Sequence, residues 1–300
     1  MGFSYETLAN PDRVRVTDDG EWVATFTLGC YTVTLAGPAR TFSEPYRSDG
    51  ATHTVTVTHS TWVRAAPGPV DEHIDERWLL WALAANHAGT PDALAIALQY
   101  IKNAPPVLLG DLQIAGDASY GPLLRDGTRD EGSDFNDYLG LRWLYPADLP
   151  DKPEASQHRC LDCSGYIRMV WGYRDHLPEA GYPDTIPLSR RPQSNTTLPR
   201  RSFEIYESAT GIILIEDAGT QATDLDILDA GDLVFFDVER DDGARLDHVG
   251  MYLGTDVTGA RRFISSRETA NGPTLADAGG RSIINGTGTY ARRFRAARRL

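Results

Sequence analysis

The stretch HRCLDCSGYIRMVWGYR, residues 158–174, places Cys160 and Cys163 in front of an apolar, aromatic-rich run, in a chain with 3 cysteines in all. Asp162 can cap a helix that begins around Ser164 and shows Ile167, Val170 and Trp171 on one face. Cys163 then stands at a helix N-terminus, where unpaired N–H groups and the helix dipole favour the thiolate, the nucleophilic form of cysteine. The small neighbours Ser164 and Gly165 leave room for a substrate carbonyl, and the first-turn N–H groups are candidate oxyanion donors. A nucleophilic thiol also needs a proton acceptor. Of the 7 histidines, His248 is the best placed. It starts the strand-like HVGMYLG behind the turn-rich ERDDGARLD, so its ring can stand at a sheet end facing a helix terminus. His158 lies in the loop before the helix, and His176 follows Cys163 by more than three turns, about 20 Å.

Two other chemistries use a Cys-x-x-Cys pair. In thioredoxin-like redox sites the first cysteine attacks and lies in a βαβ setting, which is missing around Cys160. A zinc site needs two further His or Cys ligands, and there is no second Cys-x-x-Cys and no His-x-x-x-His. Cys163 is therefore read as a lone nucleophile with no metal or cofactor, and Cys160 as a residue able to tune it by reversible disulfide formation. Cys30 is too far along the chain to make a disulfide framework with them.

The elements that must position these residues fall into two parts. From Arg13 to Arg64 a period-two pattern rich in Val, Thr, Trp and Tyr (RVRVTD, EWVATFTL, YTVTLAG, HTVTVTHS, TWVRA) predicts four or five antiparallel strands. APGPVDE, residues 66–72, is the expected boundary between a β-rich domain over 1–70 and a second domain over 71–300. ERWLLWALAANHAG predicts a helix stopped by Gly89. TPDALAIALQYIKN predicts another, with Thr90 as N-cap and Pro91 at the first helical position. Residues 104–157 read as a long loop with short elements. SRRPQSNTTLPRRS reads as a polar connection, and GIILIED, DLVFFDV, HVGMYLG and RRFISS as short strands.

Four stretches, in order, resemble the NlpC/P60 family of papain-like cysteine peptidases: DCSGYIRMVW its nucleophile motif, and LDAGDLVFFD, DHVGMYLG and the closing YARRFRAARRL its following blocks. The resemblance covers roughly residues 90–300 and leaves 1–70 outside. It implies an α+β, papain-like fold in which a helix carrying the cysteine packs on an antiparallel sheet carrying the histidine. It also implies amide hydrolysis, most often in peptidoglycan stem peptides, with a peptide or cell-wall peptide as partner and no metal. On the matching positions Cys163 is the nucleophile and His248 the base. Asp162, Ser164 and Gly165 complete the motif at the substrate side. The family's third polar residue, commonly His, Asn or Gln, is replaced by Ser265, whose hydroxyl stabilises an imidazolium less than a fuller acceptor. Ser266, Glu268 and Asn271 are nearby substitutes. The tyrosine that assists the family's oxyanion site is assigned to Tyr120 in ASYGPL, without the usual Gly-Gly pair, with Tyr138 and Tyr145 behind it. Residues 121–157 then read as an insertion shaping the cleft.

Two other readings use the same residues: a degenerate binding module, and acyl transfer to an amine or lipid. An excess of 42 acidic over 29 basic residues argues against nucleic acid or anionic membrane as partner. The closing cluster Arg281, Arg292, Arg293, Arg295, Arg298 and Arg299, interleaved with Tyr290, Phe294 and Leu300, reads as a solvated strand face. The opening MGFSYETLANPDRVRV lacks the basic start and apolar run of a Sec signal, and no stretch nears the roughly 18 apolar residues of a membrane span. The expected location is cytoplasmic, or reached by a non-standard or phage-type export route.

Overall fold

A computed structural model of the chain describes residues 2–145, 149–174, 186–239, 243 and 245–300. Its architecture is α+β. β1 (Phe3–Leu8), β2 (Arg13–Asp18), β3 (Glu21–Thr27), β4 (Thr32–Ser48) and β5 (Ala51–Ala65) form an antiparallel sheet in chain order. Two of its turns are Asp-Gly pairs with positive φ at both residues, Asp19-Gly20 and Asp49-Gly50. That is the backbone a two-residue hairpin needs to match the twist of its strands. HTVTVTHS and TWVRA are one strand, β5, held on β4 across a register shift between Ala36 and Arg40. β1 carries no alternating apolar signal because it is an edge strand whose middle is exposed.

α1 (Glu76–His87) is capped by Asp75 and lays Trp78, Leu79 and Ala82 on Val16, Phe26, Leu35 and Trp62 of the sheet. α2 (Ala93–Leu98) is capped by Asp92 and not by Thr90. The buried Asp92 carboxylate takes the Ala95 N–H at 3.0 Å and the Val63 N–H at 2.7 Å, and pairs with Arg40, so it outcompetes a threonine hydroxyl. Residues 104–157 hold the hairpin β6 (Val107–Leu109) and β7 (Leu112–Ala115), and α3 (Phe135–Leu139). The segment is anchored, since Phe135, Tyr138 and Leu139 belong to the main core.

α4 (Cys163–Arg168) runs on into a π-turn over Met169–Tyr173. After it come α5 (Ser202–Ser208), β8 (Ile212–Ile215), β9 (Leu233–Phe236), β10 (His248–Thr255), β11 (Arg261–Arg267), β12 (Gly272–Thr274), α6 (Thr289–Arg293) and β13 (Phe294–Arg299). The second sheet has the order β12-β11-β10-β9-β13-β8. Ile167, Val170 and Trp171 pack with Leu233, Phe235, Val249 and Met251 in the same core as Tyr31, Phe42 and Val63 of the first sheet.

The closing arginine cluster is not a solvated face. β13 is an interior strand between β9 and β8, and all its residues are buried. Arg281 and Arg292 reach solvent, whereas Arg295, Arg298 and Arg299 are each given partners inside. Arg298 donates to the Tyr206 carbonyl at 2.8 Å and the Thr210 carbonyl at 3.0 Å, satisfying the C-terminal end of α5. Arg299 makes two 2.7 Å bonds to Asp232 and one of 3.0 Å to Thr27 Oγ1 on β3. Asp232, although paired, is pushed up to about 6 by burial. Arg299→Leu should therefore lower stability by about 3–5 kcal/mol by stranding a buried carboxylate, and Arg299→Leu with Asp232→Leu should recover most of it. Urea midpoints of the three proteins check this.

Candidate active site

α4 starts one residue earlier than expected, with Cys163 as its first residue and Asp162 as its cap. The Asp162 carboxylate accepts the Gly165 N–H at 2.7 Å and the Gly132 N–H at 3.1 Å. Arg200 reaches it with both terminal nitrogens, at 2.6 and 3.2 Å, and also donates to Ser164 Oγ at 2.6 Å. Gly165 is required by packing: a Cβ there would meet the Ser133 carbonyl at 2.2 Å. Ser164 and Gly165 are thus engaged with Arg200 and with the 132–134 loop.

The Cys163 side is nearly closed, for the residue is 2% exposed. Its Sγ lies 3.9 Å from the Asp247 carbonyl and receives the Val249 N–H, so the sulfur rests against the backbone on both sides of His248. His248 opens β10, and its Nε2 is 3.0 Å from Ser265 Oγ on β11. Phe236 and Tyr290 cover its ring, with centroids at 5.8 and 5.5 Å. Behind Ser265 stands buried Arg267, whose Nε donates to the same Oγ at 3.0 Å.

These surroundings act against the expected thiolate. Burial pushes the Cys163 thiol well above its ordinary range, and the Asp162 and Glu131 carboxylates push it further. The Val249 N–H and Arg200 act in the opposite sense, without prevailing. His248 is pushed down to about 3, first by burial and then by Arg267. Negative charge thus lies beside the sulfur and positive charge beside the ring, the reverse of what a thiolate–imidazolium pair wants. Both influences favour the uncharged thiol and the uncharged imidazole.

Tyr120 is close enough for a Cys163 charge to suppress its ionisation, and its hydroxyl donates to Glu131 at 2.9 Å. Tyr138 and Tyr145 are used elsewhere: Tyr138 donates to the Gly116 carbonyl at 3.0 Å, and Tyr145 accepts from Arg168 at 2.7 Å. Of the substitutes for Ser265, Ser266 donates to the Leu161 carbonyl and Glu268 accepts the Arg129 N–H. Asn271 accepts the Tyr120 N–H at 3.2 Å. Each ties β11 or its following turn to the loops bearing Tyr120 and Cys163. His158 is exposed, and His176 lies outside the described residues. Among the described residues, no group of three or more His, Cys, Asp or Glu side chains is placed to hold a metal ion.

Residues 153–276 match the model of the NlpC/P60 family. Over these residues the chain is similar to the NlpC/P60 family. Members of that family are typically cell-wall peptidases. No curated protein matches the chain. Two solved structures are similar. One, described as similar to a lipoprotein of the NLP/P60 family, from Staphylococcus aureus subsp. aureus Mu50, is 21% identical with a TM-score of 0.27. The match covers 55% of this chain, which spans 38% of that protein's length. The other is an NlpC/P60 family protein from Bacillus cereus ATCC 10987, 13% identical with a TM-score of 0.29, covering 100% of this chain and 80% of that one.

Around Cys163 and His248, sequence reasoning missed Arg200, Arg267, Glu131 and Tyr290. Arg200 lay in a stretch read only as a polar connection, and its distance along the chain from Asp162 gave no signal. Arg267 was legible only as the residue two beyond Ser265, hence on the same strand face. Beside these residues a cleft of about 520 Å³ is lined by Gly132, Asp134, Asp137, Arg190, Arg200 and Glu204; neither Cys163 nor His248 lines it. Among the described residues no helix is long and apolar enough to cross a membrane.

Two outcomes follow from this geometry. Arg200→Ala leaves Asp162 buried and short of its cation, so stability should fall by about 3–5 kcal/mol, read by denaturant titration. His248 is buried neutral, so its folded proton affinity lies below the 6.5 of an ordinary histidine. As pH falls below 6.5 the unfolded chain takes up this proton first, and stability is lost at up to about 1.4 kcal/mol per pH unit until pH nears 3. His248→Gln should flatten the stability profile between pH 6.5 and about 5, and equilibrium unfolding of both proteins across that window checks it.

Proposed function

We propose that the protein is a cysteine peptidase that cuts amide bonds in peptidoglycan stem peptides, with Cys163 as nucleophile and His248 as base. The observation that carries this reading is the seat of the Cys163 sulfur. It lies at the first residue of a helix and against the backbone flanking a histidine whose ring is anchored to Ser265. In the proposed cycle, the His248 nitrogen not bonded to Ser265, Nδ1, takes the thiol proton, and the sulfur attacks the amide carbon. The first-turn N–H groups hold the oxyanion, joined by Tyr120 once its hydroxyl leaves Glu131. His248 returns the proton to the leaving amine, and water releases the thioester.

With burial favouring both uncharged forms, deprotonation is coupled to attack within the substrate complex, where the oxyanion donors stabilise the charge as it forms. Free alkylating reagents should accordingly react slowly with Cys163 at neutral pH. The family match supports the cell-wall substrate, since it is the common substrate of that family.

The test is cleavage of purified stem peptides with identification of the new termini. Wild-type protein should release one new amine and one new carboxyl end, and Cys163→Ala should reduce the rate by about a thousandfold or more at an unchanged thermal midpoint. Full activity in Cys163→Ala would end the proposal. Binding of the peptide without cleavage would favour a binding module, and an acylated amine as product would favour acyl transfer.

A further inference from the structure

Ser265 is fully buried, and its hydroxyl oxygen meets two nitrogens: Arg267 Nε at 3.0 Å and His248 Nε2 at 3.0 Å. A guanidinium has donors and no acceptor, so the direction of the first bond is fixed. Ser265 has a single hydrogen to give. If His248 carried its proton on Nε2, both neighbours would donate to Oγ and the serine hydrogen would be left without an acceptor among the described residues, which buried polar groups avoid. If Oγ–H donates to Nε2 instead, all three groups are satisfied, and the neutral ring carries its proton on Nδ1.

We propose that Arg267 is a positioning residue: by donating to Ser265 it turns the serine hydrogen onto His248 Nε2 and holds the ring in the Nδ1–H tautomer, a resting state in which the base nitrogen is already occupied. Arg267 is itself fixed. Its Nη1 donates to the Gly280 carbonyl at 2.9 Å and its Nη2 to Ser282 Oγ at 2.7 Å, and its guanidinium lies over Tyr290 at 4.3 Å and Phe263 at 4.8 Å. The groups around His248 do not favour the other tautomer. Cys163 on α4 directs its thiol at the Asp247 carbonyl, Phe236 on β9 and Tyr290 on α6 offer ring faces, and the Asp247 carboxylate receives the Val238 N–H at 2.9 Å. To activate the site, Nδ1 gives its proton to solvent, Nε2 takes one from solvent, and the Ser265 hydrogen turns away; the ring's proton count is unchanged.

That this tautomer means an inactive site rests on the peptidase reading; the tautomer itself does not. The test is nitrogen NMR of protein carrying 15N-labelled histidine, with the His248 signals assigned by their loss in His248→Gln. Wild-type protein should show a protonated Nδ1 and a bare Nε2 between about pH 6 and 8, a range in which a model histidine titrates. Arg267→Gln supplies a carbonyl that accepts the Ser265 hydrogen. It should move the proton to Nε2 and speed iodoacetamide alkylation of Cys163 by about tenfold at fixed pH, the equivalent of one hydrogen bond. Arg267→Lys keeps a donor without an acceptor and should keep the wild-type tautomer. A protonated Nε2 in wild-type protein overturns the proposal, as does an unmoved proton in folded Arg267→Gln. Should Arg267→Gln fail to fold, the wild-type spectrum still decides. Because the spectrum needs no turnover, an Nδ1–H ring in a chain that cleaves no peptide removes only the peptidase reading, and an Nε2–H ring in an active enzyme removes only this inference.

Discussion

The Asp162 carboxylate is the interaction on which the centre of the molecule depends. It is almost completely buried, and it is tolerated because a helix N-terminus, the Gly132 N–H, the Ser164 hydroxyl and the Arg200 guanidinium all donate to it. The donors come from three pieces of chain, so satisfying one charge brings the loop at 132, the start of α4 and the end of the polar connection to one point. Arg200 passes the constraint on to Asp134 at 3.5 Å, and Asp134 to Arg168 at 3.0 Å, inside the core. The position of Cys163 follows from this network, since it is the residue between the cap and the first turn that the cap organises.

The same network sets the electrostatics against an ionised dyad. A helix dipole worth about half a charge favours the thiolate, yet here it is opposed by Asp162 next in sequence, by Glu131 and by the loss of water around a sulfur that is 2% exposed. On the other side, the His248 ring meets a neutral hydroxyl at Ser265, and Arg267 adds a positive charge behind it. Burial and the surrounding charges thus act on Cys163 and His248 in the same sense, each favouring the uncharged side chain.

Much of this centre was legible in the sequence because its signals are local. Asp162 before a small-residue helix start, and His248 at the head of an apolar strand, are readable from spacing and turn chemistry. What could not be read depends on contacts between remote segments. Thr90 looked like a better cap than Asp92 until β5 brought the Val63 N–H to the Asp92 carboxylate. The closing arginines looked solvated because charge is usually exposed, and only the insertion of β13 between β9 and β8 provides the carbonyls and carboxylates that take them inside. Arg267 belongs to this second kind, for its meaning comes from a hydroxyl two residues away and a histidine on the neighbouring strand.

The first sheet, which lies outside the family match, is built into the same body. Thr32 N–H donates to the Leu300 carbonyl at 2.7 Å, Arg299 reaches Thr27, and Tyr31, Phe42 and Val63 share the core of the Cys163 helix. One reach of this sheet toward His248 is made by Glu44 on β4. That buried carboxylate accepts the Leu275 N–H at 2.7 Å and the Thr274 hydroxyl at 3.0 Å, and burial raises its proton affinity despite those donors. Thr274 is the β12 residue registered opposite Ser265. A strand of the N-terminal sheet therefore fixes β12, β12 fixes the edge of β11, and β11 presents the hydroxyl that orients His248. The two parts of the chain are therefore joined by hydrogen bonds as well as by the connecting chain, and one of those joins lies one strand away from Ser265 and its bond to His248.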